Sequence, residues 1–278
     1  MLSYRHGFHA GSPADVLKHA VFSFVLAYAL GKPTPLYLLD THAGAGGYDL
    51  GGAMAAKTGE ARHGIDRVLT AAGPPELLRP YLDAVARYRV AAGADAYPGS
   101  PELARQALRE TDRVELVELH VTDHAALAER FRGVANARVR RDDGLKVMLA
   151  RLPPPQRRGI VLIDPSYEIK SDYEDVATAL VRAHRRFANG VYLLWYPVIQ
   201  RAASEHLLGL LRASGIRRQY RIELATRADS EGRGMTASGV VVINPPWTMP
   251  ATAPAGLAWL ARALEAKGPS VAGWLVPE

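Results

Sequence analysis

The chain has 278 residues, of which 48% are hydrophobic and 22% charged, so it can bury the core of one large domain. It contains no cysteine, which excludes disulfides, thiolate metal sites and thiol nucleophiles. Its formal net charge of +6 is carried mainly by arginine. This charge favours a polyanionic partner, although a GC-rich coding bias towards arginine explains it equally well.

The N-terminal residues and the apolar runs predict a cytoplasmic protein with no membrane partner. Residues 1–6 lack the apolar core of a signal peptide. The longest apolar run, residues 20–30, is too short to span a bilayer. We also expect the chain to act as a monomer.

Predicted strands alternate with predicted helices along the chain. The first helix is predicted at residues 13–30, where a proline opens a run of apolar residues with helical spacing. Strands are predicted at residues 36–40, 114–119, 137–141, 159–164, 190–196, 219–226 and 238–244. Further helices are predicted at residues 123–131, 143–152, 172–187 and 202–214. Several of the strands are apolar throughout, which is typical of strands buried on both faces of a parallel sheet.

This alternation predicts an α/β fold with a mostly parallel, doubly wound sheet. The last two predicted strands are joined by a polar loop, residues 227–237, and not by a long helix, which predicts an antiparallel edge. Residues 50–97 contain no convincing strand and have helical patterns at 59–71 and 74–92. We therefore predict a main domain of residues 1–49 and 98–278, with a small helical subdomain of residues 50–97 inserted in it.

A glycine-rich turn, Asp40 to Gly47, follows the first predicted strand. Glycines let the backbone approach a ligand closely, and open α/β sheets bind ligands at the carboxyl ends of their strands. A dinucleotide site needs a further small residue where Asp49 stands, so a NAD site is disfavoured. Taken alone, the turn is explained equally well as a tight turn without a ligand.

Two acidic features follow the next strands. Glu118 ends the second strand, where an acid can accept hydrogen bonds from ribose hydroxyls. Asp142, Asp143 and Gly144 follow the third strand, where a side chain and a backbone amide can hold an adenine edge. Asp142 or Asp143 is also predicted to be the N-cap of the following helix, and the two roles are compatible.

The most specific motif is Asp164-Pro165-Ser166-Tyr167, which follows a strand that is apolar throughout. Proline keeps the local backbone extended. An adenine amine is a poor nucleophile because its lone pair is conjugated with the ring. A carboxylate and a backbone carbonyl that accept its two N–H groups draw the nitrogen towards tetrahedral geometry, and an aromatic ring can stack on the base. The motif therefore predicts an adenine-amine methyltransferase with Asp164 as its catalytic carboxylate.

A similar motif, Asn244-Pro245-Pro246-Trp247, follows the last predicted strand. Its amide, prolines and aromatic ring also fit an amine-binding signature. The strand before it lies on the wrong side of the predicted strand order for the donor site. We therefore interpret it as a turn near the end of the chain.

Several strings of this sequence resemble the RlmJ family, whose members methylate N6 of an adenine in 23S ribosomal RNA. The most distinctive are Leu2-Ser3-Tyr4-Arg5-His6 and Gly234-Met235-Thr236-Ala237-Ser238-Gly239. The others are residues 8–11, 14–19, 40–46, 97–101, 118–120, 195–197 and 244–247. The similarity extends from the first residues to the last.

The resemblance implies a class I, Rossmann-like fold that uses S-adenosylmethionine and acts on 23S ribosomal RNA. It implies a catalytic role for Asp164. The cofactor-binding residues that it implies are His19, His42, Gly44, Ser100, Glu118, Asp143, Gly144 and Asp164. The expected substrate-binding residues are Tyr4, His6, Pro165 and Tyr167, of which the resemblance implies Tyr4. No metal is expected, because no helix motif of histidine with carboxylate accompanies the N-terminal histidines and the sulfonium already activates the methyl group.

The sequence departs from the family pattern at Ser166, where the family motif normally has a second proline. This difference bears on the rigidity of the turn and on the rate. Three alternatives stay open at this point: a methyltransferase that acts on DNA adenine, a non-catalytic RNA-binding relative, and a dinucleotide-dependent oxidoreductase on a similar sheet.

Overall fold

The computed structural model describes residues 5–169, 171–229 and 234–278. Its strands are β1 (Tyr37–Asp40), β2 (Gly47–Asp49), β3 (Ala96–Pro98), β4 (Arg113–Val117), β5 (Ala137–Arg140), β6 (Gly159–Ile163), β7 (Val191–Val198), β8 (Gln219–Ala225), β9 (Ala237–Ile243) and β10 (Val271–Val276). Its helices are α1 (Pro13–Leu30), α2 (Ala53–Thr58), α3 (Ile65–Thr70), α4 (Arg79–Ala92), α5 (Ser100–Ala107), α6 (Val121–Arg130), α7 (Gly144–Arg151), α8 (Asp172–Arg186), α9 (Arg201–Ala213) and α10 (Met249–Ala263). Short 3-10 helices lie at His6–Phe8 and Glu60–His63.

Eight strands form one sheet in the order β10-β8-β9-β7-β6-β1-β4-β5. The strands β7, β6, β1, β4 and β5 run parallel, and β9 pairs antiparallel with both β7 and β8. The central strands β1 and β6 are buried along their whole length, because helices cover both faces of the sheet. The sheet confirms the predicted mostly parallel, Rossmann-like class I fold with an antiparallel region on one side.

The C-terminal part of the sheet differs from the prediction in one respect. Strands β8 and β9 are antiparallel, as predicted, but β10 pairs with β8 and forms the edge. Neither β10 nor the preceding helix α10 was predicted. Helix α10 has a proline inside it, Pro254, and β10 is only partly buried along its length, so neither element has the regular apolar pattern on which the prediction depended.

Helix α1 lies in the core on one face of the sheet. Its apolar side chains share one hydrophobic cluster with α4 and α10, while α8 and α9 cover the other face. The helix begins at Pro13, and the Oγ of its N-cap, Ser12, accepts a hydrogen bond from the backbone N–H of Asp15 at 3.3 Å. By length and composition it is the one helix in the described part of the chain that could cross a membrane, but 72% of it is buried inside the protein.

Residues 50–97 are mostly helical, and their helices pack on the main domain. The predicted helix at 59–71 is broken at Gly64, whose φ of −112° and ψ of −106° are not helical. A Cβ there would lie 2.0 Å from the carbonyl oxygen of Gly11, so the position requires glycine. The strands β2 and β3, which the sequence did not predict, pair antiparallel at the base of this segment. Tyr81 and Val85 of α4 are buried in the same cluster as α1, and the division of the chain at residues 50 and 97 stays a prediction.

Candidate active site

A cavity of about 560 Å³ lies at the carboxyl ends of β1, β4, β5 and β6. Parallel strands end at the same edge of the sheet, so the residues that follow them converge there. The predicted site residues that line the cavity are His6, His19, His42, Gly44, Ser100, Glu118, Asp143, Gly144, Asp164 and Pro165. Tyr167 is not among the lining residues, and Tyr4 lies outside the described residues.

The glycine-rich turn after β1 holds its backbone close to Glu118. Gly44 has a φ of +60°, and its N–H donates a hydrogen bond to the Glu118 carboxylate at 2.8 Å. This φ favours glycine, and a Cβ on Gly44 would lie 2.3 Å from the hydroxyl oxygen of Tyr48, which would have to move. Burial raises the pKa of Glu118, against the effect of its hydrogen bonds from the N–H groups of His120 and Gly44.

Asp40 and Ser100 form a buried pair beneath this turn. The Ser100 hydroxyl donates to Asp40 Oδ2 at 2.6 Å, and the backbone N–H of His42 donates to Asp40 Oδ1 at 3.3 Å. Burial raises the pKa of Asp40 to about 6, and the hydrogen bond from Ser100 opposes that rise. Burial also lowers the pKa of His42 to about 4, so the imidazole that lines the cavity is neutral at pH 7.

Asp143 is the N-cap of α7, as predicted. Its Oδ1 accepts hydrogen bonds from the backbone N–H groups of Leu145 at 3.0 Å and Lys146 at 3.2 Å. A Cβ on Gly144 would lie 1.9 Å from the carbonyl oxygen of Thr41. The start of α7 therefore packs directly on the turn after β1, and this contact places Asp143 and Gly144 at the cavity.

Asp164 is paired with a buried lysine that the sequence prediction did not include. Lys18 Nζ lies 2.6 Å from Asp164 Oδ2 and 2.8 Å from Asp15 Oδ1. Burial works against the charge on Lys18, but Asp15 and Asp164 outweigh it and hold the pKa of Lys18 well above its usual range. The signal that could have found it is a lysine three residues after an aspartate in an otherwise apolar helix, because buried charges need partners.

Asp15 connects this ion pair to the N-terminal segment. Its Oδ2 accepts hydrogen bonds from the backbone N–H of Gly11 and lies 3.0 Å from His6 Nε2. Burial works against ionisation of Asp15, but His6 and Lys18 hold the pKa of its carboxyl well below the usual range. One buried carboxylate thus holds two side chains that line the cavity, His6 and Lys18.

His19 lies deeper in the same region. It is 1% exposed, and its Nδ1 lies 2.9 Å from the hydroxyl oxygen of Tyr97, which is 3.0 Å from that of Tyr81. Burial lowers the pKa of His19 to about 3, so it is neutral. In the described part of the chain, no group of three or more histidine, aspartate or glutamate side chains is arranged to hold a metal ion.

The Tyr167 ring is turned away from the cavity. Its hydroxyl donates to the carbonyl oxygen of Trp195 at 2.7 Å, and its ring centroid lies 4.6 Å from that of Tyr173. Tyr167 has a φ of +52°, which is unfavourable for an aromatic residue. The predicted stacking of Tyr167 on a base stays a prediction, and it requires this ring to turn outward.

The Asn244 motif lies at the opposite end of the strands from the cavity, where the parallel strands begin. Asn244 Nδ2 donates to the carbonyl oxygens of Ala188 and Gly190, both at 2.8 Å, just before β7 begins. Because β9 runs antiparallel to β7, its end meets the beginning of β7. The interpretation of this motif as a turn is confirmed, although helix α10 and strand β10 still follow it.

Comparisons with known proteins agree on one family. A family model described as "Ribosomal RNA large subunit methyltransferase D, RlmJ" matches residues 33–276. The Escherichia coli and Haemophilus influenzae proteins named "Ribosomal RNA large subunit methyltransferase J" are 45% and 43% identical to this chain, and each alignment covers 100% of both proteins. The crystal structure of a Legionella pneumophila protein superimposes with a TM-score of 0.86 at 34% identity, over 95% of this chain and 98% of that one.

Proposed function

The chain belongs to the RlmJ family of ribosomal RNA large subunit methyltransferases, and from this premise we propose that it transfers the methyl group of S-adenosylmethionine to the N6 amine of an adenine in 23S ribosomal RNA. The observation that carries the proposal is the position of Asp164. Its carboxylate lines the same cavity as the glycine-rich turn and Glu118. A methyl donor and a target amine that bind there meet at one place, which supplies the proximity that the transfer needs.

The charges around the cavity fit a cationic methyl donor. Its described lining contains one lysine, Lys18, and eight carboxylic acids: Glu118, Asp123, Asp142, Asp143, Asp164, Glu168, Asp172 and Asp175. S-adenosylmethionine carries a positive sulfonium, so an acidic cavity attracts it. When bound, it supplies an already activated methyl group.

The predicted cofactor residues have distinct tasks in this proposal. Glu118 accepts hydrogen bonds from the ribose hydroxyls, and Asp143 with the backbone of Gly144 holds the adenine edge. The turn at Gly44 lets the backbone approach the ligand. The neutral His19 and His42 and the hydroxyl of Ser100 complete the lining.

Asp164 and Lys18 explain how the target amine is oriented. Lys18 Nζ donates a hydrogen bond to Asp164 Oδ2, while Asp164 Oδ1 accepts no hydrogen bond from the residues that the structure describes. That oxygen and the carbonyl oxygen of Pro165 accept the two N–H groups of the adenine amine. Lys18 contacts only one of the two carboxylate oxygens, so the other is left to accept a hydrogen bond from the amine and later its proton.

The substrate side of the site requires an unpaired adenine. A base inside a helix cannot reach a cavity at the end of a sheet, so the target is flipped out or already unpaired. His6 and Tyr4 of the N-terminal segment and a reoriented Tyr167 contact it in this proposal. We assign the enzyme to the cytoplasm, where ribosomal RNA is made, as a monomer in which residues 50–97 form an inserted subdomain.

The test is incorporation of a tritiated methyl group from S-adenosylmethionine into a 23S ribosomal RNA transcript, a matched DNA and an RNA whose adenines are replaced by guanines. Label in the 23S transcript alone, recovered as N6-methyladenosine, supports the proposal. Label in DNA supports the alternative of a DNA adenine methyltransferase. RNA binding without any label supports the alternative of a non-catalytic relative.

A further inference from the structure

The back of the glycine-rich turn, on the side away from the cavity, is covered by the side chain of Arg130 at the end of α6. Arg130 Nη2 lies 3.5 Å from the carbonyl oxygen of Gly47. A Cβ on Gly46 would lie 3.1 Å from Arg130 Cδ, and a Cβ on Gly47 would lie 3.1 Å from the guanidinium carbon of Arg130. The guanidinium therefore packs directly on the two glycines that end the turn.

The same guanidinium reaches two further elements. Arg130 Nη1 donates to the hydroxyl of Tyr88 in α4 at 2.9 Å, and it lies 3.7 Å from Oε1 of Glu102 in α5. Tyr88 is 6% exposed and Glu102 is 0% exposed. One side chain thus connects α4, α5 and α6 to the turn.

Glu102 is a buried acid that has no task in the proposed reaction. Burial raises its pKa, and the neighbouring Arg105 and Arg130 oppose that rise. Arg105 Nε lies 2.8 Å from Glu102 Oε2. A buried carboxylate needs partners of opposite charge, and Glu102 has Arg105 at 2.8 Å and Arg130 at 3.7 Å. The second ion pair draws Arg130 towards its position over the turn.

The turn needs such support because its glycines are conformationally free. Gly44 and Gly46 have φ values of +60° and +85°, which glycine adopts easily but does not prefer strongly over other conformations. The hydrogen bond from the N–H of Gly99 to the carbonyl oxygen of Gly46, at 2.9 Å, fixes one point of the turn. Arg130 fixes the next residue.

We propose that Arg130 is a positioning residue for the methyl-donor site, which holds the glycine-rich turn in the conformation that binds S-adenosylmethionine. The inference rests on the proposed function. A guanidinium is planar and carries five N–H donors, so it can contact Tyr88, Gly47 and Glu102 together. Lysine keeps the charge but cannot make these contacts at the same time.

The experiment compares Arg130→Lys and Arg130→Ala with the wild-type enzyme by calorimetric titration of S-adenosylhomocysteine. Both variants should bind about 10-fold more weakly. Without the Arg130 contacts the turn is less ordered in the free enzyme, and the free energy needed to order it reduces the binding free energy. Tyr88→Phe, which removes one contact, should lose about 2–3-fold. Arg132→Ala is the matched control, since the Arg132 side chain is 76% exposed and pairs with Glu129 on the surface; its affinity should not change.

Kinetics separate positioning from general damage. The KM for S-adenosylmethionine should rise about 10-fold in both Arg130 variants, while kcat at saturating donor stays within about 2-fold, because the lost interaction acts on donor binding alone. Unchanged affinity in Arg130→Ala, or an equal fall of kcat with no change in KM, overturns the inference. Failure of the wild-type enzyme to bind S-adenosylhomocysteine overturns the proposed function instead.

Discussion

Two turns of this protein have nearly the same sequence pattern and lie at opposite ends of the strands. Asp164-Pro165-Ser166-Tyr167 follows β6, and Asp164 faces the cavity. Asn244-Pro245-Pro246-Trp247 follows β9, and Asn244 caps the two carbonyls before β7. Each joins an amide or acid, proline and an aromatic residue. The direction of the preceding strand places them at different ends of the strands, since β9 runs antiparallel to β7 and β6 runs parallel to it.

The backbones of the two turns differ in where they are strained. Tyr167 has a φ of +52° and Asn244 a φ of +54°. Asparagine tolerates this region well, whereas a tyrosine there costs energy and is found mostly where a site requires it. The first turn thus stores strain beside Asp164, the carboxylate that we propose to be catalytic, and the second uses a residue suited to its conformation.

The largest expected effect distinguishes the two turns by charge. Asp164→Asn should lower the rate of methyl transfer to a 23S transcript by about 10²–10⁴-fold, because the neutral amide no longer accepts the amine proton. Asn244→Asp should leave the rate of the folded enzyme within about 3-fold, since it is remote from the cavity. Single-turnover incorporation of tritiated methyl measures both. Comparable losses in the two variants would contradict the assignment of the site.

The next effect concerns pH and the cavity. Because burial lowers the pKa of His42 to about 4 from 6.5, the unfolded chain binds a proton more tightly than the folded protein. The contribution of His42 to stability therefore falls as the pH drops from 6.5 towards 4. His42→Gln should reduce this fall in Tm by several degrees, measured by thermal scans at pH 7.0, 5.5 and 4.5.

The control residue for that measurement is His184, which lies at the opposite end of the strands from the cavity. Burial also lowers the pKa of His184, near the end of α8, but this histidine is partly exposed. His184→Gln should flatten the pH dependence less than His42→Gln does. A larger effect of His184→Gln would show that the cavity does not hold the more strongly perturbed histidine.

A smaller effect tests the structural role of Asn244. Asn244→Ala should lower the free energy of unfolding by about 1–3 kcal/mol, because two carbonyls lose their donor and alanine is strained at positive φ. Asn244→Gly loses the same hydrogen bonds without the strain and should cost less. Urea titrations give both values. Equal values would show that the conformation of residue 244 contributes nothing.

The smallest effect is expected from a substitution that makes the two turns more alike. Ser166→Pro gives the Asp164 turn the second proline that the Asn244 turn has, and it should raise kcat by no more than about 3-fold, because a stiffer turn loses less conformational freedom. Trp247→Ala, at a ring that is 76% exposed, should leave kcat unchanged. A fall of more than 10-fold in Ser166→Pro would contradict the expectation that residue 166 acts only through the stiffness of the turn.

Most of the candidate site could be predicted because its residues follow strands. Glu118, Asp143 and Asp164 each follow the end of a parallel strand, and parallel strands bring such positions together whatever the details of packing. Lys18 and Asp15 could not be found in this way. Helix α1 is buried on almost all sides, so it has no polar face that shows where its charged side chains point.

Two parts of the fold could also not be predicted from the pattern of apolar residues. Gly64, which lies against the backbone of Gly11, interrupts a helix that the apolar spacing predicted as continuous. Strand β10 is recognised only by its pairing with β8, because a partly exposed edge strand has no strong alternation. Both depend on contacts between residues far apart in the chain.

The sequence by itself determined the alternation of strands and helices, the order of the ligand-binding turns and the family, because each of these depends on local periodicity and on short strings. The tertiary structure decided which carbonyl groups Asn244 caps, how Asp15 and Lys18 surround Asp164 and where the Tyr167 ring lies. These features depend on strand direction and on burial in a shared core, which the order of residues along the chain does not specify locally.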